Sequence, residues 1–577
     1  MSRDAGNPQA LIPLVIGVSG HRDPLEIDKG QLARQVAVLF ESLHAQYPHT
    51  PLRLLTPLAE GADQIVADAF LLLPVKTRGE LIAVLPMPLE LYEQDFEGAA
   101  LVQFRAALAR ADRVIEIPLA AGADRSSIEP AGAARDAQYQ RCGQFVSRHS
   151  QLLVALWDGR PAHGRGGTGD IVQYRQRGCF DERQDSILDL EERGPSWHLV
   201  TPRASHAERQ QACVPPTPYA EHWLFPPMVR GDLEPEGYFR GLWREIDTFN
   251  ADAHGLATQH VDAIPHSEQS LIPDSAIAAL PDSCRQMRLR YAVADALAIR
   301  LQRRWRRLQR LLHLFAVLTL LAFEFGQFDG DALGGHYKPW AYSTACVFMI
   351  LAFLTYRRGS GLRLQDRYQD YRALAEGLRV QFFWTLAGVR QTAADRYLGR
   401  QRNALDWIRK ALRTATLPLT NFRSEGLYPH AEAYWVRSQN DYYRQSEDAR
   451  RERRAALWSR TLLSVGLIGL VGLVISTWMG ASSFARACWM SAFVLPTGFA
   501  GIIDHYAGKM AFSEHAKLYA RMSRMFDYAL ELLTESLQRK DSLAVERVVE
   551  DLGIAALEEN ASWLMLHRER PLEMPHQ

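Results

Sequence analysis

Residues Thr461–Gly480 read TLLSVGLIGLVGLVISTWMG, a run without a single charged side chain. A helix needs roughly 20 mostly apolar residues to cross the hydrocarbon core of a bilayer, so this segment reads as a membrane span. Three further runs share its character: Leu311–Gly326, Pro339–Tyr356 and Ala487–Ile503. They fall into two close pairs, and a pair of spans joined by a short loop makes a hairpin. The expected architecture of the C-terminal half is therefore all-α, with two transmembrane helical hairpins. Everything before Leu311 has to be accounted for as a region in water.

Charge around the runs gives an independent reading. Arg300, Arg303, Arg304, Arg306, Arg307 and Arg310 precede the first run, and Arg357, Arg358 and Arg363 follow the second. Arg450, Arg451, Arg453, Arg454 and Arg460 precede the third, and His505 and Lys509 follow the fourth. The loops inside the pairs are poor in positive charge: Asp329 and Asp331 stand against Lys338 in one, and Arg486 is nearly alone in the other. Lys/Arg bias in short loops sets orientation. It places the N-terminal region and the C-terminus in the cytoplasm of a multi-pass membrane protein. The first run carries His313 and Glu324; an acid there either faces a polar interior or reaches the interface.

Composition narrows the partners. The 577 residues hold 66 basic and 66 acidic side chains, a balance that argues against a broad basic face for nucleic acid. The Arg clusters lie beside the apolar runs, so anionic lipid headgroups are their simplest partner. The six cysteines (Cys142, Cys179, Cys213, Cys284, Cys346 and Cys488) show neither CxxC nor metal-ligand spacing, and no metal site is expected. Leu11–Val18 is too short for the apolar core of a signal peptide.

From Pro13 to about Thr201 short apolar runs alternate with helical patterns. The runs are Leu14–Val18, Leu52–Leu55, Leu81–Leu85, Val114–Ile117, Leu152–Trp157 and His198–Thr201. Leu32, Val36, Leu39, Phe40, Leu43 and Tyr47 fall at helical spacing between the first two, and Ile65, Val66, Ala69, Phe70 and Leu73 after the second. Continuous apolar strands separated by helices imply a parallel sheet covered on both faces, so the N-terminal fold class is α/β, a doubly wound Rossmann-like sheet. Residues 202–235 are rich in Pro and polar groups and read as loops, Phe239–Asn250 as a helix, and Gln259–Pro281 as a linker.

Ligands of such sheets bind outside the carboxyl ends of the strands, and three loops there carry phosphate-binding chemistry. They are Gly17-Val18-Ser19-Gly20-His21-Arg22, Pro57-Leu58-Ala59-Glu60-Gly61-Ala62-Asp63, and Asp158-Gly159 with the later Gly164-Arg165-Gly166-Gly167-Thr168-Gly169-Asp170. Small residues let backbone amides approach an anion, and helix starts add free N–H groups and a positive dipole end. Candidate ligand-binding residues are Gly17, Ser19, Gly20, His21, Arg22, Glu60, Gly61, Asp63, Asp158, Gly159, Gly166, Gly167, Thr168 and Gly169. The amides of the Gly17–Gly20 and Gly166–Gly169 stretches are assigned to phosphate and Arg22 to charge. Glu60, Asp63 and Asp158 are assigned to ribose or base, although Asp63 fits equally well as a first-turn helix carboxylate. His21 is open as a base or as a hydrogen-bonding group.

These three loops resemble the SLOG superfamily, Rossmann-like nucleotide-binding domains that include the LOG-type phosphoribohydrolases; the Ala59-Glu60-Gly61-Ala62-Asp63 loop carries most of the resemblance. It implies either hydrolysis of a nucleotide N-glycosidic bond or sensing of a nucleotide-derived signal. The hydrolases carry Gly-Gly-x-Gly-Thr-x-x-Glu. Aligned on Thr168, this chain has Arg165 at a glycine position and Ile171 where the acid belongs, with Asp170 one residue early. A sensor fits better than a hydrolase; if catalysis occurs, Glu60 and Asp170 are the candidates.

The C-terminal half repeats one plan: basic helix, two spans, long polar exit helix. Tyr371-Arg372-Ala373-Leu374-Ala375-Glu376-Gly377-Leu378-Arg379 and Arg437-Ser438-Gln439 with Tyr442-Tyr443 resemble SLATT modules. These are two-span membrane units associated with SLOG domains in prokaryotic conflict systems and proposed to form pores. Together the resemblances imply a nucleotide-binding domain over 10–258, a linker over 259–284, two-span units over 285–425 and 426–540, and a tail over 541–577. They imply a homo-oligomeric effector of the prokaryotic cytoplasmic membrane, acting in antiviral defence. A nucleotide or ADP-ribose-like signal would be its ligand and the bilayer its second partner. No other cofactor and no nucleic acid are expected. A membrane-tethered N-glycosidase and a non-catalytic scaffold are the alternatives.

Overall fold

The computed structural model describes residues 10–25, 28–75, 77–120, 122–162, 165–178, 193–206, 217–227, 234–259, 262–327, 336–397, 405–417, 427–445 and 447–568. Gly164, Cys179, Cys213, Asp329 and Asp331 lie outside these ranges. Two compact units are distinguished, one comprising Met1–Ala294, Gly377–Thr385 and Arg390–Ser424, the other Asp295–Glu376, Leu386–Val389 and Glu425–Gln577.

The first unit is built on a seven-stranded sheet of β1 (Leu14–Gly20), β2 (Leu52–Thr56), β3 (Arg78–Leu85), β4 (Arg113–Glu116), β5 (Leu152–Trp157), β6 (Ser196–Val200) and β7 (Glu221–Leu224). Its spatial order is β4-β3-β2-β1-β5-β6-β7. Every pairing is parallel except β6 with β7. All six apolar runs are strands; in the inner strands β-branched and leucine side chains are buried on both faces, as suits the centre of a parallel sheet, while β4 lies at the edge with Val114 exposed. The seventh strand is a correction: Glu221–Leu224 falls in the stretch read as loops, and its exposed, polar face gave no apolar signal.

Helices cover both faces. On one, α1 (Lys29–Gln46), α2 (Ala62–Leu71) and α3 (Gly98–Ala109) enclose Leu14, Ile16, Val18, Leu54 and Leu85. On the other, α4 (Ala133–His149) packs Cys142 and Val146 against Val15, Leu55 and Val84, and α5 (Thr168–Arg177) packs Ile171 and Val172 against Leu153 and Ala155. Helix α6 (Pro235–Gln259) adds Trp243 to the first face. The stretch expected as linker contains helices Ala263–Leu271 and Asp274–Ile277, with Ile264, Leu271, Ile272 and Ile277 buried.

The C-terminal half is helical: α7 (Asp282–Gln327), α8 (Lys338–Gly361), α9 (Leu364–Ala387), α10 (Asp448–Trp478), α11 (Ser483–Met510), α12 (Phe512–Gln538) and α13 (Ser542–Arg568) are its long elements. The last was expected as a tail; Val545, Val549, Leu552, Leu557 and Leu564 give it a buried face. Arg372 bridges Glu376 at 2.7 Å on α9, the i,i+4 pair legible in sequence. Among the described residues four helical stretches are long and apolar enough to cross a membrane, and only 6% to 22% of their apolar windows is buried. Trp340, Trp458 and Trp478 stand exposed near the ends of these windows. The two partners α10 and α11 touch through small residues: a Cβ on Gly466, Gly469 or Gly472 would meet Thr497, Ala492 or Trp489 at 2.5, 2.5 or 2.3 Å.

Candidate functional site

The strand order sets the place of the site. From β1 the chain steps through β2 and β3 to β4, then returns to β5 on the other side of β1. The loops after β1 and β5 therefore diverge, and they open a crevice at the switch point of the sheet. A cleft of about 480 Å³ lies there, within the range of small-molecule sites.

The first loop is tied down on both sides. The His21 N–H donates to the Leu156 carbonyl at 3.0 Å, and the Ala62 N–H donates to the His21 carbonyl at 3.0 Å. The approach is close enough that a Cβ on Gly20 would come within 2.3 Å of the Ala62 Cβ. Arg22 is exposed, with its guanidinium 5.4 Å from the centre of the Tyr139 ring, a cation–π placement.

In the second loop the backbone turns at Gly61 with φ of 83°. A side chain there would press on the Arg22 carbonyl at 2.4 Å, so glycine is required by conformation and by space. The turn sends Asp63 back under its own loop, where its Oδ2 accepts the Ala59 N–H at 3.3 Å. Asp63 is 3% exposed and lines the cleft. Burial pushes its carboxyl up to about 7, against the opposing pull of the Ala59 amide and Arg22. Its Oδ1 is buried without a hydrogen-bond partner, while the nearby Gly20 amide and Thr56 hydroxyl favour the charged form.

The third loop starts at Asp158, whose Oδ1 accepts the Arg160 N–H at 3.2 Å. The indole N–H of Trp157 donates to the Arg160 carbonyl at 2.7 Å. Further on, Gly166 has φ of 82° and sits against the Gln140 backbone. Helix α5 then begins after Gly167 with no side chain capping it. Its first amides are left to face the cleft, as phosphate-binding helix starts do.

His21 and Asp158 join the first and third loops. The ring Nε2 of His21 accepts the Asp158 backbone N–H at 3.0 Å and lies 3.2 Å from Asp158 Oδ1. The carboxylate favours an imidazolium, but burial is the larger effect and lowers the His21 pKa. The ring is therefore neutral, with Nε2 engaged as an acceptor, which makes His21 a positioning group rather than a base. Burial alone would raise Asp158; the hydrogen bond from the Arg160 amide leads the effects that oppose it, and the carboxyl stays below the usual range.

Ten of the residues expected to bind line this cleft: Ser19, Gly20, His21, Arg22, Asp63, Asp158, Gly166, Gly167, Thr168 and Gly169. Four others do not. Gly17 is a strand residue paired with Leu55 and Leu153, and a Cβ there would meet Ser150 and Val146 at 2.9 Å. Gly61 and Gly159 shape turns behind the wall. Glu60 is exposed and not part of the lining. Asp170, the other candidate acid, spends its Oδ2 on the Gly166 N–H at 3.3 Å, so it shapes the glycine loop.

Beyond the residues assigned from the sequence to a ligand, the cleft recruits Tyr92, Asp136, Tyr139, Trp157, Arg160 and Arg203, together with Arg165 of the third loop. Arg203 follows β6 and is held by Asp23 at 2.8 Å, so the strand-end rule would have found it. Asp136 comes from the first turn of α4 and Tyr139 from the turn after it, where no local pattern marks them. The wall thus offers four arginines, glycine amides, aromatic rings and one buried carboxyl with an unused oxygen. Among the described residues no group of three or more His, Cys, Asp or Glu could hold a metal ion. No family model matches the chain, and none of the curated proteins matches it.

Proposed function

We propose that this chain is a membrane-anchored effector whose α/β domain binds a nucleotide-derived, phosphate-bearing signal and controls the permeability of the apolar helices. The observation that carries the reading is the convergence of the β1, β2 and β5 loops on an arginine-lined cleft at the switch point, in a chain whose described residues include four membrane-capable helices. Gly166–Gly169 amides and Arg22, Arg160 and Arg165 receive phosphate; Tyr139 and Trp157 receive base or ribose; Asp63 Oδ1 accepts a ligand hydroxyl or amine. The helices pair as two hairpins, α7 with α8 and α10 with α11, with both ends on the cytoplasmic side, where their arginine clusters meet anionic headgroups. Ligand binds one conformation or oligomer of the chain better than another and so biases the spans toward an open state. The resemblance to SLOG and SLATT domains supports a role in prokaryotic defence.

The test is a thermal-shift screen of the full chain in detergent against nucleotides, cyclic oligonucleotides and ADP-ribose derivatives, followed by dye release from liposomes holding the chain. A compound that raises the melting temperature, fails to do so in Arg22→Ala/Arg165→Ala, and triggers release supports the reading. Absence of any shift across these classes sinks it. A second reading, a tethered N-glycosidase, is favoured by one feature: a buried carboxyl poised near neutrality in the cleft, Asp63. Free base released from a bound nucleotide, and lost in Asp63→Asn, would establish it instead.

A further inference from the structure

Along α7 two ionisable side chains are buried in an otherwise apolar, half-buried to exposed stretch: His313 is 7% exposed and Glu324 6%. Both face α11. Glu324 Oε1 accepts the Ser491 hydroxyl at 2.7 Å. His313 Nε2 lies 3.2 Å from His505 Nδ1, with the rings stacked 5.2 Å apart. His313 Nδ1 is 2.8 Å from the Gln309 carbonyl, which can only accept. That fixes the tautomers: His313 carries its proton on Nδ1, and His505 donates from Nδ1 to His313 Nε2. Between the two pairs Leu320 fills the groove at Gly498, where a Cβ would sit 2.5 Å from Leu320 Cδ2. Glu324 lies eleven positions after His313, about 16 Å along the helix at 1.5 Å per residue.

Ionisable groups inside a membrane span are costly and are retained where protons or ions move. A seam with a carboxyl towards one end, a histidine pair towards the other and an apolar plug between them has the layout of a gated proton path. We propose that the α7–α11 seam conducts protons across the membrane when Leu320 leaves Gly498. The proposal rests on the membrane reading of these helices given above. In the open state Glu324 accepts one proton from water on its side and releases one to water entering the seam. His505 takes up that proton on Nε2 and passes its Nδ1 proton to His313 Nε2; His313 then swings away from the Gln309 carbonyl and gives its Nδ1 proton to water, and rotation of both rings restores the starting tautomers, so the cycle makes no net chemical change. Lys509 bears on His313 electrostatically, and Asp504, beside His505 on α11, accepts the Ser459 hydroxyl at 2.8 Å. In the closed state Leu320 keeps the middle of the seam dry.

The experiment uses the full chain in liposomes containing a pH-sensitive dye, with a potassium diffusion potential and no ligand, and flotation to score membrane insertion. Leu320→Ala should raise proton flux at least tenfold over the unaltered chain. Leu320→Ala/Glu324→Gln should return it to the level of protein-free liposomes, while Leu320→Ala/Glu324→Asp keeps most of the gain. Two results overturn the proton path: inserted Leu320→Ala protein with no added flux, or added flux that Glu324→Gln leaves unchanged and that an entrapped uncharged dye shares. In either case flotation with the bilayer leaves the membrane-effector reading standing, whereas failure to float removes that reading as well.

Discussion

The Nε2 of His21 accepts the backbone N–H of Asp158 across 3.0 Å, so one hydrogen bond ties the loop after β1 to the loop after β5 at the point where the sheet reverses its winding. Removing the ring in His21→Ala leaves a half-buried amide without its partner. Such a loss costs about 1 to 3 kcal/mol. The sign of the pH dependence follows from burial. The folded ring has a pKa below the ordinary 6.5, so below 6.5 the unfolded chain binds a proton that the folded chain resists. Stability from this group is present above 6.5 and lost as the pH falls through the folded value. Denaturant midpoints measured from pH 7.5 to pH 5 should fall less in His21→Ala than in the unaltered chain; equal slopes would show that the ring is not held neutral.

Asp63 works in the opposite direction. Its folded carboxyl titrates at about 7 against an ordinary 3.8, so between those values the folded chain holds a proton that the unfolded chain has released. Stability is therefore highest below 3.8 on account of this group and declines until about pH 7. Asp63→Asn removes the decline. At pH 8 it should be the more stable protein, by an amount on the order of a few kcal/mol, and the two proteins should converge towards pH 4. An unaltered pH profile in Asp63→Asn would show the carboxylate to be stabilised in the cleft by its amide neighbours.

Two glycines separate conformational need from tolerance. Gly61 combines a positive φ of 83° with a carbonyl 2.4 Å from any Cβ. Gly61→Ala should lower stability by about 2 kcal/mol or more and disorder the Arg22 contact. Gly241 lies within α6, and a Cβ added there would have nothing within 4 Å. At that position alanine should raise stability by about 0.5 to 1 kcal/mol, because glycine loses more chain entropy in a helix. Thermal melts of both variants in detergent check the pair.

Most of the sheet was legible because six of its strands contain short runs rich in Leu, Val and Ile, and burial on both faces of the inner strands leaves that signature in a parallel sheet. β7 was not, since an edge strand reading Glu221-His222-Trp223-Leu224 shows no such run. The glycine loops were legible for a local reason: strand end, small residues and helix start follow one another in the chain. What local spacing could not reveal is which way a side chain turns. Glu60 and Asp63 are three residues apart, yet one is exposed and the other buried, and the Gly61 turn decides between them. Tyr139 and Asp136 reach the cleft from a helix more than a hundred residues after β1, a meeting that only the folded sheet arranges.

The α10–α11 contact allows a last comparison within a single helix pair. Without a hydrophobic drive between helices in lipid, close association depends on small residues that let backbones approach. Gly469 is the tightest such point by backbone, since an added Cβ would fall 2.5 Å from the Ala492 carbonyl carbon and oxygen, and backbone cannot step aside as a flexible side chain would. Gly501, on α11 itself, has nothing within 4 Å. Gly469→Leu should therefore force the two helices apart and lower the melting temperature of the detergent-solubilised chain by several degrees, a loss of about 2 kcal/mol or more. Gly501→Leu should leave it within about 0.5 kcal/mol of the unaltered protein. If both substitutions are equally mild, α10 and α11 do not associate through this face in the purified chain, and the proposed second hairpin loses its packing basis.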